Sequence, residues 1–186
     1  MSSPDASARI GGRVRDLRVA RGLSQSALAR AAGVGKGSLS ELESGQRNPT
    51  LATLYALAGP LHVPLAALLD DAVGAEVSGG GLTAHLVDVR TSEGTTVETY
   101  AMRFAPGSIR RSPAHGDGVV EHLVVTRGRL RFGTPGELRT AAGGEHGRFG
   151  ADRPHTYEVL GDEPAEAVLV ILTPHENSVA AEGGAP

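Results

Sequence analysis

The sequence contains no cysteine, which excludes disulfide staples and thiolate metal sites alike. It holds no apolar run long enough to cross a membrane, and its first residues, Met1 to Asp5, lack the basic and apolar segments of a secretion signal; a cytoplasmic protein with no membrane contact is expected. A strong charge of either sign is missing too, the formal net charge being −3. That small total hides a division. Residues 1–72 carry eight Lys or Arg against six Asp or Glu, whereas residues 73–186 carry ten against fifteen. The hydropathy pattern changes character at about the same place. A weakly basic front and an acidic back predict two modules: a helical unit over residues 8–70 and a β-rich unit over 82–174. A linker over 71–81 would join them, and a disordered tail would follow over 175–186.

The front module is rich in local helix grammar. Ile10, Val14 and Leu17 repeat at helical spacing between Arg9, Arg13, Arg15 and Arg18, which predicts an apolar stripe inward and guanidinium groups outward. Ser24 is a good N-cap for a short helix carrying Ala27, Leu28 and Ala31 on one face. Gly33 suits the left-handed residue that ends that helix, Val34 plugs the core, and Gly35 starts a second helix running to Ser44. Leu39 and Leu42 are its buried side. Thr50 after Asn48-Pro49 predicts the cap of a fourth helix built on Leu51, Leu54, Leu57, Ala58 and Leu61, and Val63-Pro64 opens a fifth with Leu65, Leu68 and Leu69. Glu43 is expected to pair with Arg15 or Arg18, since a bare carboxylate would be repelled by phosphates.

Residues 10–69 resemble the XRE family of bacterial and phage regulators, with the lambda-repressor-like DNA-binding fold. The resemblance is carried by Leu23-Ser24-Gln25, Leu28-Ala29, Ala32-Gly33-Val34, Leu39-Ser40, Glu43, Gly45, Pro49-Thr50, Leu54, Leu61 and Val63. It implies that Gly35, Lys36, Gly37, Ser38 and Ser40 face base edges in the major groove. Ser24, Gln25, Arg47 and Asn48 complete the expected DNA-binding set, with Gln25 on phosphate or supporting the reading residues. Glycine at 35 and 37, where the family usually has longer or capping side chains, predicts less direct base readout and more reliance on DNA shape.

From residue 83 onward the grammar is β. Alternating or β-rich runs at 83–89, 96–104, 119–125, 130–132, 155–160 and 165–172, separated by Gly, Pro and Asp turns, predict a closed barrel or jelly roll. Gly107, His115, Asp117, Glu121 and Gly128, then Gly144-Glu145, Phe149, Ala151-Asp152, Pro154-His155 and Tyr157, resemble the two motifs of the cupin superfamily over residues 82–173. The expected fold is therefore α+β in two domains: five helices, then an all-β cupin barrel. In metal-binding cupins the matching positions are His, His, Glu and His; here Asp117 stands at the second. The resemblance implies a divalent site formed by His115, Asp117, Glu121 and His155, suited to Fe(II), Mn(II), Ni(II) or Zn(II). Alternatively, His115, Glu121, His155 and Tyr157 hydrogen-bond an organic ligand, or one another, with no metal. His122 should point away from Glu121, its neighbour on a strand, and His85, His146 and His175 are read as surface residues.

Together the modules suggest a sequence-specific transcriptional regulator whose barrel senses a small-molecule effector and helps form a homodimer on a roughly palindromic operator of double-stranded DNA. The competing class is a metal-dependent isomerase, dioxygenase or epimerase with an appended DNA-binding domain; a third is a DNA-binding antitoxin or architectural protein with an empty barrel.

Overall fold

The computed structural model describes residues 4–69, 76–92 and 94–174. Five helices come first: α1 (Pro4–Ala20), α2 (Gln25–Ala31), α3 (Lys36–Glu43), α4 (Leu51–Ala58) and α5 (Leu65–Leu68). The predicted caps are in place. Ser24 Oγ accepts from the Ala27 N–H at 3.1 Å and Thr50 Oγ1 from the Thr53 N–H at 3.2 Å. Gly33 has φ +63°, and the next amide, Val34, donates back to Ala29 O at 2.9 Å, which closes α2 and turns the chain into α3. Helices α1 and α3 meet at Gly11, where a Cβ would fall 2.0 Å from the Leu42 carbonyl oxygen, so only glycine permits that crossing.

Ten strands follow among the described residues: β1 (Glu76–Gly79), β2 (Leu82–Ser92), β3 (Thr95–Phe104), β4 (Ile109–Ser112), β5 (Val120–Arg127), β6 (Arg129–Gly133), β7 (Arg139–Ala142), β8 (His146–Gly150), β9 (His155–Val159) and β10 (Ala165–Pro174). They form two antiparallel sheets, ordered β1-β2-β3-β10-β5-β8 and β4-β9-β6-β7. These sheets make up the all-β barrel expected after a five-helix domain. Strands β2, β3, β5 and β10 alternate as predicted, with Leu86, Tyr100, Leu123 and Leu169 inside.

The structure corrects three expectations of the sequence. Residues 76–79 of the expected linker are an edge strand, paired with 82–85 through a Gly80-Gly81 turn. Residues 70–75 and the expected tail at 175–186, with His175, lie outside the described residues. Segments 109–112, 139–142 and 146–150, taken as turns, are strands. Finally, one of the arginines expected to face outward turns inward, Arg13 Nε donating to Ala67 O at 3.0 Å, whereas Arg18 pairs with Glu43 as expected.

The modules are packed together rather than strung apart. Their buried apolar residues form one continuous cluster from Val14 to Ile171. Helix α5 begins after Pro64 and has no side-chain cap of its own; the barrel supplies one. Glu98 on β3, 1% exposed, accepts from the Ala66 N–H at 2.6 Å and from the Tyr100 hydroxyl at 2.8 Å. Burial raises the Glu98 carboxyl above its ordinary value, although both donors favour the ionised form.

Candidate DNA-reading surface and barrel site

The helix-turn-helix presents its polar face to solvent. Gly35, Lys36, Gly37 and Ser40 are exposed and Ser38 is half-buried. Ser24 is occupied as the cap of α2. Gln25 is tethered, its Nε2 donating to Glu43 Oε2 at 2.8 Å. The same carboxylate receives Arg18 through Nε at 2.6 Å and Nη2 at 2.9 Å, while Arg18 Nη1 donates to Leu23 O. Of the two partners expected for Glu43, Arg18 therefore makes the bidentate contact, and Arg15 adds only its charge from farther off. Burial alone would raise the Glu43 carboxyl, but the donors and charges outweigh it and hold it below its ordinary value. The cluster ties α1, α2 and α3 together. Arg47 and Asn48 are exposed. Arg47 Nη1 reaches Ser38 Oγ at 3.2 Å and Glu41 Oε2 at 3.0 Å, and the Asn48 carbonyl accepts from the Ser7 hydroxyl.

Inside the barrel, His115 from the β4–β5 loop meets Glu121 on β5 and His155 and Tyr157 on β9. All four are buried. His115 Nε2 lies 3.0 Å from Glu121 Oε1 and His155 Nε2 lies 3.5 Å from it, yet none of these three atoms completes an aligned hydrogen bond. The ligand atoms of the three residues sit within 4.8 Å of one another. His155 Nδ1 faces Arg153 O at 3.0 Å; donating there leaves the Nε2 lone pair aimed at the centre, as a metal-ligating imidazole requires. Glu121 Oε2 accepts from the Tyr157 hydroxyl. Burial pushes the Glu121 carboxyl up, but His115, His155 and Tyr157 together bring it below its ordinary value. Burial lowers His155 despite Glu121, and raises the Tyr157 hydroxyl well above a free phenol.

Asp117 does not join them. It is exposed in a turn of the β4–β5 loop, where the alternation of a strand does not operate, so the clustered donor set is His115, Glu121 and His155. His122 is half-buried on the opposite side of β5 from Glu121, and His85 and His146 are exposed.

The helix-turn-helix family pattern matches residues 14–68. Over 154 residues the chain is 33% identical to the HTH-type transcriptional regulator SutR of Escherichia coli, spanning 81% of this chain and 86% of that protein. The chain belongs to the XRE family of helix-turn-helix transcriptional regulators. A crystal structure of an HTH_3 family transcriptional regulator from Vibrio cholerae superposes on this regulator with a TM-score of 0.82 and 25% identity, covering 94% of this chain and all of that one. A segment of 100 residues is also 33% identical to a probable low-salt glycan biosynthesis epimerase of Haloferax volcanii, 44% of this chain and 64% of that protein.

The regulator contains two site residues that sequence reasoning missed. Tyr55 of α4, 6% exposed, stacks on His115 with ring centroids 3.9 Å apart and planes 14° from parallel. The DNA-reading module thus covers the barrel site with its own side chain. The second is Arg110 on β4, 4% exposed, placed inside the barrel by its pairing with Tyr157. Tyr55 lies just off the Leu54–Leu57–Leu61 face, and its place beside an otherwise complete core stripe was the available signal.

Proposed function

We propose that this regulator is a one-component sensor that binds a roughly two-fold operator as a homodimer, with the barrel group His115, Glu121, His155 and Tyr157 receiving a small-molecule effector. The observation that carries this reading is the Tyr55–His115 stack, because one contact belongs to both the reading module and the binding group. A ligand that shifts His115 shifts a ring anchored in α4, and α4 follows the recognition helix α3 through the turn at Asn48 to Thr50. Such a ligand changes operator affinity only as far as it binds the two arrangements differently. On DNA, Lys36, Ser38 and Ser40, with the backbone at Gly35 and Gly37, meet base edges. Ser24, Gln25, Arg47 and Asn48 set position against phosphates. Because the face has few long side chains, selectivity comes from two copies reading two half-sites and from DNA shape.

The residues fit a divalent ion. Two imidazole nitrogens and one carboxylate oxygen, buried and without an aligned hydrogen bond, point to one place. A bound ion there would supply a Lewis-acid anchor for an effector oxygen or nitrogen; the chain's own part is to orient His155 through Arg153 O and to seal the site with Tyr55. The test is fluorescence anisotropy on a DNA fragment selected by the protein from a random pool, titrated with Mn(II), Fe(II) and Zn(II) and with a metabolite panel. Wild-type protein should change affinity with an ion or metabolite, and His155→Ala should lose that response with apo affinity nearly unchanged. A response intact in His155→Ala overturns the assignment. The epimerase relative favours a second reading, catalysis in the barrel; turnover of a sugar by metal-loaded protein, abolished in Glu121→Gln, would establish it.

A further inference from the structure

We infer that Arg110 is the anion-binding end of the barrel site and that the effector carries a carboxylate group. The inference rests on the sensor reading above and narrows its ligand. Strand β4 reads Ile109-Arg110-Arg111-Ser112, and its register runs against hydropathy: Ile109 is 56% exposed while Arg110 is 4% exposed. A slip of one residue would exchange the two and bury the apolar side chain. The ladder instead pairs Arg110 with Tyr157 and Ser112 with His155, which puts the guanidinium on the face that carries the site.

Arg110 is also left short of partners. Its Nη1 makes a long contact, 3.4 Å, to Gly79 O of the β1–β2 hairpin, whereas Nε and Nη2 have no hydrogen-bond partner among the described residues. Neither buried acid near the site pairs with it. Glu121 faces the imidazoles and the Tyr157 hydroxyl, and Glu98 faces Ala66 and Tyr100. Burial lowers the Arg110 guanidinium from its ordinary value, and its charge acts on Tyr55, Tyr157 and His155, the groups around the binding centre. A buried cation without a counter-charge is destabilising, and one set beside a binding centre is a candidate place for a ligand of opposite charge. Nε and Nη2 form the side edge of the guanidinium, whose two parallel donors match the two oxygens of a carboxylate. The effector would then lie between that edge and the His115–Glu121–His155 group.

Thermal unfolding of the full chain tests this, with acetate, L-lactate and citrate compared with acetamide, glycerol and inorganic phosphate at equal ionic strength. At least one carboxylate should raise the wild-type Tm by several degrees, and the neutral compounds and phosphate should not. Arg110→Met, which replaces the unpaired cation by an apolar chain of similar length, should raise the Tm without ligand and abolish the carboxylate response. Arg110→Lys, a charge without the fork, should bind the same carboxylate roughly tenfold more weakly. The inference is overturned if no carboxylate shifts the wild type, if acetamide or phosphate acts equally, if Arg110→Met keeps the response, or if Arg110→Met is less stable or fails to fold. An effector that is neutral yet still needs His155 would overturn the carboxylate while leaving the sensor reading in place.

Discussion

The Tyr55–His115 stack makes a quantitative prediction for Tyr55→Leu. Leucine retains most of the apolar burial at a position only 6% exposed, and removes the flat ring set 3.9 Å from the imidazole. The aromatic contact is worth about 0.5–1.5 kcal/mol beyond burial, so the expected loss is about 1 kcal/mol. With a urea dependence of about 2 kcal/mol/M, the midpoint should fall by about 0.5 M. The loss should sit at the junction between the modules. Helical circular dichroism follows the reading module, and in this variant the remaining tyrosines, Tyr100 and Tyr157, are both in the barrel and report it by fluorescence. The two transitions should coincide in the wild type and separate in Tyr55→Leu. A cycle with His115→Asn should give a coupling of about 1 kcal/mol, about fivefold in an equilibrium constant. Additivity within about 0.3 kcal/mol, with the transitions still coincident, would refute the stack as the link between reading head and barrel.

Two more perturbations address the other surfaces. Lys36→Ala with Ser40→Ala should weaken binding to a selected operator about tenfold or more beyond its effect on random DNA, measured at one salt concentration; equal losses would mean that these side chains touch only phosphate. Glu98→Gln keeps acceptors for Ala66 and Tyr100 without the buried charge, whereas Glu98→Ala leaves both donors unpaired and should cost about 1–3 kcal/mol. Because the Glu98 carboxyl is raised in the fold above its reference of 4.5, its contribution is full below that value and is lost as pH rises through the folded value. The wild type should therefore gain stability relative to Glu98→Gln as pH falls from neutral toward about 4.5, as followed by melting temperature across that range. A difference independent of pH would contradict the assigned environment.

What could be read from the sequence was whatever depends on neighbours in the chain. Ser24, Gly33 and Thr50 act within a turn of themselves, so the helix-turn-helix was visible in full. His115, Glu121, His155 and Tyr157 were found because motif spacing places them, and the barrel collects all four. Asp117 carried the same kind of spacing but sits in a turn rather than a strand. Strand β4 was missed because its buried residues are Arg110 and Ser112 while Ile109 is exposed, the reverse of the pattern that marks strands. Tyr55 and Glu98 owe their roles to residues 60 and 32 positions away in the chain, and no local rule reaches that far.

The carboxylate of Glu98 also bears on how such regulators can be assembled from parts. A recombination that joined this helical domain to another barrel would bring α5 without its acceptor, because the group that caps it is encoded 32 residues downstream of Ala66, on the far side of the junction. The unit that can be exchanged intact is therefore larger than the reading head and includes β3. Grafts between relatives should succeed when the incoming barrel presents an acidic residue at the same place, and the gene boundary that matters lies inside the barrel rather than at the linker.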